Sequence, residues 1–207
     1  STSGAIGIQA ATDTDITDST LVAATDVTIG ATAGTVDIES STLTATAGQM
    51  DITAGDEIMV SLSDLDAGTT MTLTAANNVD ILTSYLDAVN DITVTATAGY
   101  VNIESTDVTS SAGAIDINAN TDATILGSTL ISATDTTVDA TTGSIVMEST
   151  DVTAGGLAAL TAAVDVDILD STITAQDSVT VTAQGGSVDI TNSVLTSAND
   201  IIDINAQ

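Results

Sequence analysis

The chain has 207 residues and 29 acidic side chains but no lysine, arginine or histidine, a formal net charge of −29. Without cations to neutralise phosphate, it is expected to bind no nucleic acid and no anionic membrane surface; without cysteine it has neither disulfides nor thiolate metal sites. Hydrophobic residues make up 43% of the chain, too many for its acidity to mean disorder, and no apolar run reaches the ~18 residues of a membrane span.

The predicted elements are short strands. The first, "AIGIQA" (5–10), resembles the third segment of a unit that then repeats. Residues 31–54, "ATAGTVDIESSTLTATAGQMDITA", show the unit, with three alternating pieces, "VDI", "STLTA" and "MDITA". Alternation with period two puts Val36 and Ile38 on one face of a strand and Asp37 on the other. Taking Leu43 as anchor, equivalent positions fall at Leu21, Leu65, Leu86, Val108, Leu130, Val152, Ile173 and Leu195, in steps of 21 or 22 residues. Five residues before each anchor stands an aliphatic residue: Ile16, Ile38, Val60, Ile81, Ile103, Ile125, Met147, Ile168 and Ile190. Eight or nine residues after it stands another, from Ile29 and Ile52 through to Val181 and Ile204. The position two before the anchor is serine or threonine in all nine repeats.

Three strands in each ~22-residue turn, repeated about nine times, predict an all-β parallel β-helix, or β-solenoid, each strand stacking on its equivalent about 4.8 Å away. Proline, which would remove ladder donors, is absent. Turn lengths vary, giving two kinds of coil, one like "ATAGYVNIES" (96–105) and one like "AAVDVDILDS" (162–171). With no linker or shift in composition, residues 1–207 are expected to be a single solenoid domain. The last piece, "IIDINA" (201–206), again matches a third segment, and neither end carries a capping pattern. The domain is therefore expected to belong to a longer chain or fibre.

The rows "STLTA", "VDI" and "ITVTATAG" resemble the repeats of filamentous-haemagglutinin-type adhesins and the passenger stalks of large bacterial surface proteins, over residues 5–206. The resemblance implies a secreted, rod-like fibre or surface protein. On this reading the chain is a structural protein, extracellular or on the cell surface: an acidic rod of a surface fibre, an adhesin stalk or a biofilm matrix filament, self-associating into fibres or bundles.

The residue types argue against catalysis. General bases, oxyanion clamps and thiol nucleophiles would have to come from Asp, Glu, Ser, Thr or Tyr, and the only aromatics are Tyr85 and Tyr100. No enzyme activity and no fixed cofactor are expected, apart from calcium or other cations. The outward position of the first strand reads Asp15, Asp37, Met59, Asp80, Asn102, Thr124, Val146, Asp167 and Asp189. Asp15 with Asp37, and Asp167 with Asp189, should be axial neighbours, so these four are the candidate ligands of Ca²⁺ or another hard cation. The competing reading is a solvated charge row that keeps the rod soluble. Spread over nine coils at ~4.8 Å, 29 charges amount to about one per 1.5 Å, comparable with the linear density of duplex DNA, about one per 1.7 Å, so a diffuse cation atmosphere is expected.

Two further faces carry expectations. "TLT" (72–74), "TVT" (93–95) and "TVT" (180–182) offer paired hydroxyls, the basis of an alternative binding role toward ice, although Asp51, Asp116 and Asp139 interrupt the rows. Four residues before the anchor stand Thr17, Glu39, Ser61, Leu82, Glu104, Leu126, Glu148, Leu169 and Thr191. Leu82, Leu126 and Leu169 either tuck into the turn or form an outward apolar patch for lateral assembly.

Overall fold

The computed structural model describes residues 4–207 and is a parallel β-solenoid. After β1 (Ile6–Ala10) come β2 (Thr14–Thr17), β3 (Thr20–Ala23) and β4 (Val27–Ala31), and β4 returns to lie parallel on β1. The cycle continues to β28 (Ile202–Ala206), giving nine coils of three strands after β1. Strands equivalent to β1 and β4 form ten-stranded sheet A, those equivalent to β2 form nine-stranded sheet B, and those equivalent to β3 form nine-stranded sheet C. There are no helices among the described residues, and so none long and apolar enough to cross a membrane.

The register matches the sequence period residue for residue. Leu43 lies between Leu21 and Leu65, and Ile81 between Val60 and Ile103. Inward side chains form continuous aliphatic columns, with Ile29, Ile38, Leu43, Ile52, Leu73, Ile81 and Val94 fully buried. Each such residue contributes about 1.5–3 kcal/mol on burial. Ordering each backbone costs about 1–2 kcal/mol, so a lone coil of five or six inward aliphatics cannot fold. Stacking gives every coil a second hydrogen-bonded and apolar surface.

The last inward position of sheet A is alanine in all ten strands, from Ala10 to Ala206. A methyl group fits where the chain turns away from the core. At the sheet B to sheet C corner one residue per coil adopts a left-handed backbone, for example Ser40 (φ 51°), Thr83 (φ 49°) and Gly127 (φ 56°). Of the nine only Gly127 is glycine, so eight corners carry the cost that a Cβ incurs there, about 1–2 kcal/mol each.

The invariant serine or threonine follows that corner and offsets its cost. Its hydroxyl donates to the carbonyl two residues earlier, as in Ser41 Oγ to Glu39 O and Ser63 Oγ to Ser61 O, both 2.8 Å. It also accepts the backbone N–H of its equivalent in the preceding coil: Ser19 N–H to Ser41 Oγ and Ser41 N–H to Ser63 Oγ are both 3.0 Å. The row is buried from Ser41 to Ser171, and no buried side-chain polar atom among the described residues lacks a partner. Only a short side chain with both a donor and an acceptor meets these demands.

Candidate functional site

The four candidate metal ligands and the three candidate assembly leucines share one surface, the outer face of sheet B. Its strands are four residues long, so each presents two outward side chains in two columns. One column contains Asp15 beside Asp37 and Asp167 beside Asp189, each pair in direct register. Asp15, Asp167 and Asp189 are exposed and Asp37 is half-buried. Each pair is two carboxylates without a third, and no group of three or more carboxylates among the described residues is arranged to hold a metal ion. Desolvation, then the Asp15 carboxylate, raises Asp37 from its ordinary value. Asp189 accepts a hydrogen bond from Thr191 Oγ1 at 3.1 Å.

The second column runs Leu82, Glu104, Leu126, Glu148, Leu169. The leucines point outward and are half-buried. They do not form a continuous column, because Glu104 and Glu148 separate them. Val146 occupies the neighbouring column on the same strand as Glu148. An open groove of about 330 Å³ is lined by Val146, Glu148, Asp167, Leu169, Asp189 and Thr191.

The threonine face lies on sheet A. Thr72 and Thr74 stand in register with Thr93 and Thr95, but Asp51 precedes the first strand and Asp116 and Asn118 follow the second. Thr137 donates to Asp116 at 2.5 Å. Desolvation raises Asp139, the Thr161 hydroxyl opposes that shift, and Asp116 adds to it. On sheet C, Asp87 is raised by desolvation and then by Asp64, Asp66 and Asp107, with the Thr109 hydroxyl opposing.

Corner carboxylates carry a role that the sequence reading missed. Sheet A to sheet B corners contain three residues in five coils and four residues in coils 2, 5, 7 and 9. Where a four-residue corner sits above a three-residue one, one N–H has no backbone acceptor in the coil beneath. Asp13, Asn78, Asp122 and Asp165 supply it, accepting from Thr35, Tyr100, Ser144 and Ser187 at 2.7–3.2 Å. Asp26, Asp91 and Asp135 do the same at the sheet C to sheet A corners, accepting from Gln49, Ala114 and Leu157 at 2.7–3.1 Å. The last of these corners has the usual three residues and still uses the bond.

Each donor follows a glycine: Gly34, Gly48, Gly99, Gly113, Gly143, Gly156 and Gly186. The carboxylate or amide oxygen beneath fills the space of the missing side chain. A Cβ on Gly143 would overlap Asp122 Oδ1 and come within 2.6 Å of the Thr121 carbonyl oxygen. The Ser187 N–H and hydroxyl together lower the pKa of Asp165. Six of the 29 acidic residues are thus corner acceptors. Their signal in the sequence is a glycine 21 or 22 residues after an Asp or Asn, in corners that alternate along the chain.

No protein-family profile, curated protein or solved structure shows significant similarity to the chain.

Replacing Gly143 by alanine should destabilise the fold by about 1–3 kcal/mol, the usual cost of forcing atoms into filled space. Gly7→Ala should be neutral or slightly stabilising, since nothing lies within 4 Å of a Cβ there. Equal urea midpoints for the two variants would contradict the corner assignment.

The titration of the carboxylates sets a pH profile. Asp37, Asp87 and Asp139 are raised in the fold, so they oppose folding at neutral pH. They take up protons in the folded state first, and stability rises as pH falls through their folded values toward the unfolded value of about 3.9. Asp165 is lowered, so its contribution holds above about 3.9 and is lost as pH falls through its folded value. Melting followed by circular dichroism at low salt should show a midpoint that climbs between about pH 7 and pH 4 and turns down below. The triple variant Asp37→Asn/Asp87→Asn/Asp139→Asn should melt higher at pH 7 and show a shallower climb. A variant profile superimposable on the parent's would exclude these three groups as the cause.

Proposed function

We propose that the chain is a structural protein, an acidic rod segment of an extracellular or cell-surface fibre, adhesin stalk or biofilm matrix filament. The observation that carries this reading is the uninterrupted register of all three sheets over 28 strands. Every coil is held by the coils above and below it, so the architecture extends along an axis without needing a separate core. The resemblance of "STLTA" and "ITVTATAG" to filamentous-haemagglutinin-type repeats supports the same reading. The surface supports it too, because an exterior whose only charges are negative keeps long rods from collapsing on one another.

Immunogold labelling of the source cells should mark filaments outside the cell. Oriented samples of those filaments should diffract at about 4.8 Å along the axis, with a weaker reflection near 9.6 Å from the alternation of coil types. Label confined to the cell interior would defeat the proposal.

A second reading, a cation-binding module, is favoured by the in-register pairs Asp15–Asp37 and Asp167–Asp189. Calorimetric titration with calcium should then show saturable uptake that Asp15→Asn/Asp167→Asn removes. Uptake that falls smoothly with ionic strength and ignores the substitutions would leave only the diffuse atmosphere.

A further inference from the structure

Outward apolar residues stand in groups only on sheet B. On sheet A the outward strand positions hold nothing apolar larger than Ala159. On sheet C, Val22, Tyr85, Ile131 and Val194 stand apart, in coils 1, 4, 6 and 9. Sheet B instead carries two islands. Met59 and Leu82 are diagonal neighbours on adjacent strands. Leu126, Val146 and Leu169 form a triangle across three adjacent strands, with the 330 Å³ groove running over Val146 and Leu169. Between the islands lies the strand Val101–Glu104, whose outward residues are Asn102 and Glu104. The same two columns hold Thr17, Ser61, Thr124 and Thr191 in other coils, so the fold does not require aliphatic residues there.

The border of the islands is anionic: Asp80, Glu104, Glu148, Asp167 and Asp189. An occupant that covered the islands without cations would desolvate these carboxylates unpaired, at considerable cost. A second copy of the chain is such an occupant, since it contributes no Lys, Arg or His and sets carboxylates against carboxylates. A bare polycation answers the charges but leaves the islands wet. The island centres are about three and a half coils apart, ~17 Å at 4.8 Å per coil. Eleven residues of α-helix rise ~16.5 Å and complete just over three turns, so anchors at i and i+11 fall on one helix face at the island spacing.

We propose that the outer face of sheet B docks a basic amphipathic helix of another protein, lying along the solenoid axis. Its aliphatic anchors cover Met59–Leu82 and Leu126–Val146–Leu169, and its lysines or arginines meet the bordering carboxylates. This is helix-on-groove recognition in which shape comes from the islands and encounter from the charge.

The test uses the 207-residue chain and three synthetic probes: a Leu/Ala/Lys helix with leucines at i, i+4, i+11 and i+15, a shuffled peptide of the same composition, and oligolysine. Fluorescence anisotropy at about 0.15 M salt, where loose surface attraction is screened, should show the patterned helix binding about tenfold or more tighter than the other two. Leu126→Thr/Val146→Thr/Leu169→Thr should remove that advantage and leave oligolysine binding unchanged. Leu82→Thr, at the other island, should remove part of it. Circular dichroism reports whether each variant folds, and the comparison of patterned with shuffled peptide needs no variant. Equal binding of all three probes would overturn the proposal in favour of simple polyelectrolyte attraction. Sedimentation showing self-association that the triple variant abolishes would overturn it in favour of a second copy.

Discussion

Parallel stacking in register governs this molecule. Each residue has its equivalent about 4.8 Å above and below it, so each position must tolerate its own kind. Inward, that selects aliphatic columns such as Leu21–Leu43–Leu65 and the alanine row of sheet A. At the left-handed corner it selects a hydroxyl that bonds its own turn and its neighbour's backbone at once. The plainness of the sequence follows from this self-contact, because a bulky, cationic or ring-constrained residue would have to fit against its counterparts in both adjacent coils.

Unequal corners are where that regularity breaks, and the break is handled by side chains. A four-residue corner above a three-residue one has one N–H too many for the backbone acceptors beneath it, and an exposed carboxylate is a strong substitute acceptor. At the reverse step the glycine carbonyl takes the N–H from above, as Gly143 O does from Val164 at 3.0 Å, and the Ser144 hydroxyl accepts the next one, from Asp165, at 3.3 Å. Coils alternate, Asp- or Asn-bearing then Gly-bearing, through coils 4 to 7 at both corners. Coil 3 interrupts the alternation with Asp56–Glu57 at one corner and Thr69–Thr70 at the other. The true structural period there is two coils, and the outward sheet B column follows it, leucine on one coil type and glutamate on the other.

The strands, their register and their inward faces were legible in the sequence because a period of two inside a period of 21 or 22 leaves few alternatives. The serine and threonine row was equally visible, but its purpose was not, since its partners are backbone groups one coil away. The corner aspartates were harder to read. Asp122 and Gly143 are 21 residues apart and acquire meaning only when a one-residue difference in turn length is set against the coil below. Counted as charge, such aspartates look like sources of repulsion, whereas Asp165 is in fact stabilised as an anion by Ser187. For Asp37, Asp87 and Asp139 desolvation outranks neighbouring charge as the cause of their shifts, a matter of local exposure that composition does not convey. For the leucine row the sequence left two alternatives, tucked into the turn or outward, and in the fold the side chains are outward and half-buried. Its interruption by Glu104 and Glu148, and its diagonal completion by Val146, depend on reading two columns together.

The charge distribution also bears on how such a rod associates. Solenoid sheets expose unpaired strand edges only at the ends of the stack, so lateral contact must come from the sheet faces. On sheets A and C the faces are mostly threonine and carboxylate, surfaces that gain little by losing water and repel their own kind. Sheet B alone combines grouped aliphatic side chains with carboxylates. A chain without a single cation cannot complete both halves of that surface by itself. Under the docking proposed above, a partner that covers the islands would also have to bring positive charge, and association through this face would depend on that second component.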